Sequence, residues 1–268
     1  MANRAYLYSL SNQPASFEDR PETISGLSEW AYDIPFLYRL LMSGNPQLCA
    51  SLITDGLNDG QDPLYAISSP FEPGFERVKR FTHIIKALNA LSASAESARV
   101  ESSNFKIITL LRHWLGMTNN SPLPSETKAG PVAIEQLPQW LDETVTFLES
   151  QRNEYLLLET IELDFMSENE PEALRALVEE EIERCRGVGA AFRALPADIT
   201  QAARVLQSAI SELQAAPLDV FFGLCFDDKC DSDSTGATKK PLGLYWDTVL
   251  YFDLYNREQF EEAKRGQN

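Results

Sequence analysis

Positive charge is scarce in this chain. Lys and Arg number 23 against 40 Asp and Glu, for a formal net charge of −17. Phosphate backbones and anionic lipid surfaces repel such a body, so the expectation is no nucleic-acid partner and no membrane. A basic protein is the partner the charge favours. Long apolar runs are also missing, since no stretch approaches the ~20 residues of a membrane span. The opening Met1-Ala2-Asn3-Arg4-Ala5-Tyr6 lacks the apolar core of a secretory signal, which predicts a cytoplasmic location.

Cysteine and histidine are few. Cys49, Cys185, Cys225 and Cys230 fall in unrelated contexts, and the spacing of the last two, C-x4-C, is not a strong zinc spacing. With only His83 and His113 beside them, no metal and no cofactor is expected; reduced, mostly buried thiols are the reading. The two histidines read as helix-boundary residues. There is no G-x-S-x-G elbow, no phosphate loop and no G-x-G-x-x-G, so no catalytic residues are assigned. Asp231-Ser232-Asp233-Ser234-Thr235-Gly236 begins like a calcium loop. Its twelfth place is Leu242 rather than a bidentate Glu, which leaves an exposed acidic loop as the better reading.

What is present is hydrophobic patterning. Ala5–Ser9 and Leu64–Ser68 are short β-like runs, as are Leu218–Phe226 and Leu244–Leu254, both rich in aromatic and β-branched residues. Asn12–Ser25 reads as a polar loop. Pro35 suits the first turn of a helix carrying Phe36, Leu37, Leu40 and Leu41, which Gly44 and Pro46 then stop. Gln47–Thr54 reads as a weak helix. Phe75, Val78, Phe81, Ile85, Leu88 and Leu91 form a strong helical stripe. After a Ser/Ala-rich break, Asn104–Met117 forms another helix.

Residues 118–131, with three prolines, form the one candidate internal boundary in an otherwise single domain over 1–268. Leu137–Leu148 is helical. Tyr155–Phe165 is ambiguous, with strand alternation favoured in its second half. Two further helices, opened by Pro171 and Pro196, suggest an αα-hairpin, the first ending at Gly187 and Gly189. Together these elements predict an α+β fold, helix-dominated, with a small, mostly antiparallel sheet.

The opening Asn3-Arg4-Ala5-Tyr6-Leu7-Tyr8 and the block Ser28-Glu29-Trp30-Ala31-Tyr32-Asp33-Ile34-Pro35 resemble a group of bacterial cytoplasmic proteins. These open Asn-Arg-x-Tyr-Leu-Tyr and carry Ser-Glu-Trp-x-Tyr-Asp-Ile-Pro. Some similar proteins look like immunity partners of polymorphic toxins. The resemblance covers the first 40 residues and implies a non-enzymatic, toxin-neutralising role without assigning any residue. It agrees with the charge, because toxins that act on nucleic acid are commonly basic and complementary charge speeds encounter.

The expected partner-binding surface is Asp227, Asp228, Asp231 and Asp233 with the exposed face Glu179, Glu180 and Glu183. An alternative is an enzyme with Trp30, Tyr32, Asp33, Tyr245 and Asp247 around a pocket. A second alternative is a module that self-associates through an apolar helix face.

Overall fold

A computed structural model describes residues 3–58, 60–114, 134–226 and 239–267, with 95–114 and 267 described by their backbone alone. Five strands form one antiparallel sheet: β1 (Arg4–Leu10), β2 (Ile24–Ala31), β3 (Gln47–Ala50), β4 (Tyr65–Pro70) and β5 (Tyr155–Glu159). Their spatial order is β2-β1-β5-β4-β3. The fold is α+β and helix-dominated. Both faces of the sheet are covered, which is why β1 is buried from Ala5 to Leu10 instead of alternating with polar residues.

One face bears the main core. Ala5 and Leu7 from β1, Ile67 from β4, and Leu156 and Leu158 from β5 meet the helices there. Those helices are α1 (Phe36–Met42), α2 (Phe71–Trp114), α3 (Leu137–Ser150), α5 (Pro171–Ala194) and α6 (Ile199–Ser211). A short helix, α4 (Ile161–Asp164), follows β5 directly, and α7 (Arg257–Gln267) ends the described chain. Phe71, Phe75, Val78, Phe81, Ile85 and Leu88 bury one stripe of α2 against this face, each worth about 1.5–3 kcal/mol. At Gly74 the helix touches α1: an added Cβ would overlap the Leu41 carbonyl, so only glycine lets the two backbones come this close. The opposite face holds Tyr6, Tyr8, Leu10, Cys49, Ala66 and Leu157. It is roofed by Leu250 and Leu254 from the C-terminal segment.

Several elements differ from the sequence reading. The stretch read partly as loop contains β2, because Ile24, Leu27 and Trp30 complete the sheet beside β1. Gln47–Ala50 is strand, not helix; four residues paired to β4 gain ladder bonds that an isolated turn of helix lacks. The Ser/Ala-rich stretch does not break α2, whose backbone runs through to Trp114. In Tyr155–Phe165 the order is reversed, with the first half strand and the second half helix. Gly187 and Gly189 lie inside α5, which continues to Ala194. α6 lies chiefly on α2 and does not fold back as a hairpin on α5.

The two aromatic runs also depart from strand. Leu218–Phe221 is a 3-10 turn, leaving only a two-residue strand, β6 (Leu224–Cys225), parallel to β7 (Lys240–Pro241). Leu244–Leu254 has no regular structure and lies as a strap along β2. The proposed boundary at 118–131 lies outside the described residues. Among those residues no helix is long and apolar enough to cross a membrane.

Candidate functional site

The acidic face expected on α5 is present but not bare. Glu179 pairs with Arg175 at 2.8 Å, Glu180 with Arg184 at 2.7 Å, and Glu183 with Arg186. Each pair links adjacent turns in solvent and contributes at most a few tenths of a kcal/mol. Their effect is on the field, since the arginines cancel the charge that the carboxylates alone would present. Asp227, Asp228, Asp231 and Asp233 lie outside the described residues.

Between these exposed pairs, Glu181 turns inward. Its Oε1 accepts from Arg39 Nε at 2.6 Å and its Oε2 from Arg184 Nη1 at 3.0 Å. With only 4% of the Glu181 side chain exposed, this ion pair docks α5 onto α1.

The aromatic and acidic set Trp30, Tyr32, Asp33, Tyr245 and Asp247 is divided between the core and the surface. Trp30 packs on the main core, while Tyr32 and Tyr245 are exposed. Asp33 Oδ1 accepts from its neighbour's amide, Ile34 N, at 2.7 Å, and Asp247 Oδ1 from Val249 N at 3.0 Å. None of the five lines the cleft over β3 or the hollow between α3 and Trp246. Among the described residues no group of His, Cys, Asp and Glu could hold a metal ion. His83 is exposed on α2; the side chain of His113 lies outside the described residues.

The strap is what the fold adds. Leu27 C=O accepts from Asp247 N at 3.0 Å, Ser28 Oγ donates to the Tyr245 carbonyl, and Glu29 Oε2 accepts from Tyr251 N at 2.6 Å. Tyr8 Oη donates to the Phe252 carbonyl at 2.6 Å. Gly26 permits this closeness, since a Cβ would collide with the Thr248 carbonyl. The strap is thus held along β2 by these polar anchors and by Leu250 and Leu254, and its Trp246 and Phe252 rings also pack inward, on Tyr38 and Tyr6, while other side chains face out. Tyr245, Val249, Tyr251 and Tyr255 are 50–80% exposed, and Tyr32 at the end of β2 is 65% exposed. Arg4 lies 4.9 Å over the Tyr251 ring and pairs with Glu29 at 3.1 Å. Asp253 is exposed in the same run. A row of tyrosines among carboxylates is a composition found at protein interfaces, where rigid amphipathic rings anchor contact.

A second, wholly internal polar cluster went unseen in the sequence. Glu159 closes the run Leu156-Leu157-Leu158 on β5 and is fully buried. Its Oε1 accepts from Leu52 N at 2.6 Å and its Oε2 from Ser51 Oγ at 2.8 Å. Burial raises its pKa to about 7, against the lowering effect of these bonds and of the Arg20 charge. Arg20 is itself 3% exposed, stacked between Phe17 and Phe260 with its guanidinium 4.1 Å and 4.4 Å from the ring centroids. It donates to the Leu52 carbonyl at 2.9 Å. Burial pushes the neighbouring Cys49 thiol up, and the Glu159 charge adds to this. No substrate atom can reach Glu159, so its work is to fix the 51–53 segment against the sheet. The available signal was the three-leucine run: a strand apolar on both faces is central, and the residue that ends it is buried too.

A cleft of about 990 Å³ opens beside this cluster, between the Gln13–Glu18 segment, β3, the Thr54–Tyr65 loop and α7. The floor is Leu48, Cys49, Ala50 and Ser51; Phe17, Pro63 and Phe260 form the apolar walls. Lys264 and Glu18 pair across its mouth at 2.7 Å.

A family model described as a domain of unknown function, DUF7822, matches residues 11–104. That span takes in the Ser28–Pro35 block, β2 to β4 and most of α2, but neither β1 nor β5, about a third of the chain. No curated protein and no solved structure matches the chain.

Proposed function

We propose that this is a non-enzymatic, acidic immunity protein that neutralises a basic bacterial toxin by occluding it, and that the strap is the centre of the contact surface. The observation that carries the reading is the row Tyr32, Tyr245, Val249, Tyr251 and Tyr255, exposed beside Asp247 and Asp253 on a chain of net charge −17. Aromatic side chains at the centre of such a patch provide desolvated anchors, while the carboxylates steer a cationic partner and set its register. Glu179, Glu180 and Glu183 act as a weaker outer field, because their own arginines offset them. Asp227, Asp228, Asp231 and Asp233 add to the net negative charge that would steer a basic partner.

The test is co-expression with the product of the adjacent toxin gene. Protection of the host and a complex that survives gel filtration are expected. Replacing Tyr245 and Tyr251 by Ser should weaken that complex at least a hundredfold at unchanged stability. Absence of both complex and protection refutes the proposal.

A further inference from the structure

The two edges of the sheet differ in their cover. The strap runs along β2, joined to it by one backbone bond and two side-chain bonds, while β3 forms the floor of the cleft with its own outer edge only partly used. The antiparallel register fixes which groups point outward. Ser51 N donates to Leu64 C=O at 3.1 Å, so Ser51, Cys49 and Gln47 face β4, and Leu48 and Ala50 face the cleft. Ala50 N donates to the Pro14 carbonyl at 3.4 Å. Pro14 has no N–H to return to the Ala50 carbonyl, so pairing with the N-terminal segment stops after one bond. Among the described residues, the Leu48 N–H, the Leu48 C=O and the Ala50 C=O have no backbone partner.

We propose that the cleft along β3 is a binding site for an extended peptide segment of a partner protein, added to the sheet as a sixth strand. The unanswered groups, one donor and two acceptors, lie at strand spacing, and an extended backbone is a ligand that matches them. Of the four residues of β3, Leu48 and Ala50 present their backbone outward, about 7 Å apart, so the paired stretch is short. The Gln13–Glu18 segment and the Thr54–Tyr65 loop wall the strand in. A free chain can enter such a slot; the equally recessed edge of a second copy cannot. Asp55 lines the wall and Glu18 is already paired, so a Lys or Arg in the incoming segment is favoured over an acid.

The probe is a positional-scanning pool of hexapeptides capped at both ends, titrated to millimolar total concentration into the full, isotope-labelled chain. The Leu48 and Ala50 amides should shift, and exchange of the Leu48 amide should slow at least tenfold at saturation, with Lys or Arg enriched at one position. On the unmodified protein, N-methylation at alternate residues of the selected hexapeptide should weaken binding at least tenfold. N-methylation at the intervening residues should leave it within threefold. Leu48→Pro, which removes the outward donor together with a side chain packed on the main core, should abolish the shift at Ala50, and Asp55→Asn should erase the basic preference. Absent shifts, indifference to N-methylation, or self-association through this edge in sedimentation would each overturn the proposal. Strap variants leave this site untouched, so its failure and that of the toxin reading are separable.

Discussion

Replacing Glu159 by Gln changes one charge and almost no shape, and it tests the account of the buried cluster directly. In the folded chain the Glu159 carboxyl titrates at about 7, whereas an unfolded Glu titrates near 4.5. A raised folded-state value means that the native state holds a proton which the unfolded chain has released, so stability is greatest below 4.5 and falls as pH climbs through 7. The full difference is about 3 kcal/mol at 1.36 kcal/mol per unit, of which about 2 kcal/mol falls between pH 5.5 and pH 8.

Glutamine can keep the contacts, with its carbonyl accepting from Leu52 N and its amide donating to Ser51 Oγ. Glu159→Gln should therefore flatten this decline, and at pH 8 it should be as stable as the parent or more so by up to about 3 kcal/mol. Urea denaturation at pH 5.5, 7 and 8 measures it. Asp164, raised to about 6 chiefly by burial, titrates in the same window, but it does so in both proteins and cancels in the difference. An unchanged slope accompanied by lower stability at every pH would refute the reasoning. It would mean that Glu159 is ionised throughout as the partner of Arg20.

Other expectations follow from particular contacts. Gly74→Ala should cost about 2 kcal/mol or more, because the methyl meets the Leu41 backbone. Gly187→Ala, with open space around it inside α5, should stabilise by about 0.5–1 kcal/mol; thermal denaturation separates the two. Arg39→Ala leaves Glu181 buried with only the half-exposed Arg184 and should cost about 3 kcal/mol, whereas Arg39→Met with Glu181→Leu should fall within about 1 kcal/mol of the parent in urea. Single Tyr→Ser changes at Tyr245 or Tyr255 should alter stability by less than about 0.5 kcal/mol, since both rings are exposed. A larger loss would show that the strap's rings hold the fold instead of facing a partner.

The periodic, self-contained elements were legible in the residues. The stripe from Phe75 to Leu88 and the short run at Ala5–Ser9 carry their own signal, so the fold class and the main helices could be read directly. The composition also gave the field, since net charge adds without reference to geometry. What the chain could not specify alone was the state of short apolar runs, because Gln47–Ala50 and Tyr155–Glu159 become strand only where neighbours supply ladder bonds. Leu244–Leu254 fails to become a strand for a related reason: polar anchors on β2 and the Leu250 and Leu254 contacts hold it as a strap.

The site divides in the same way. Acidic residues on α5 were visible, but their pairing with Arg175, Arg184 and Arg186 was not, because that depends on which side chains share a helix face. Burial of Glu159 and Arg20, and the open edge of β3, came only with tertiary structure. Each depends on residues far apart in sequence meeting at one place, and local propensity carries no record of such meetings.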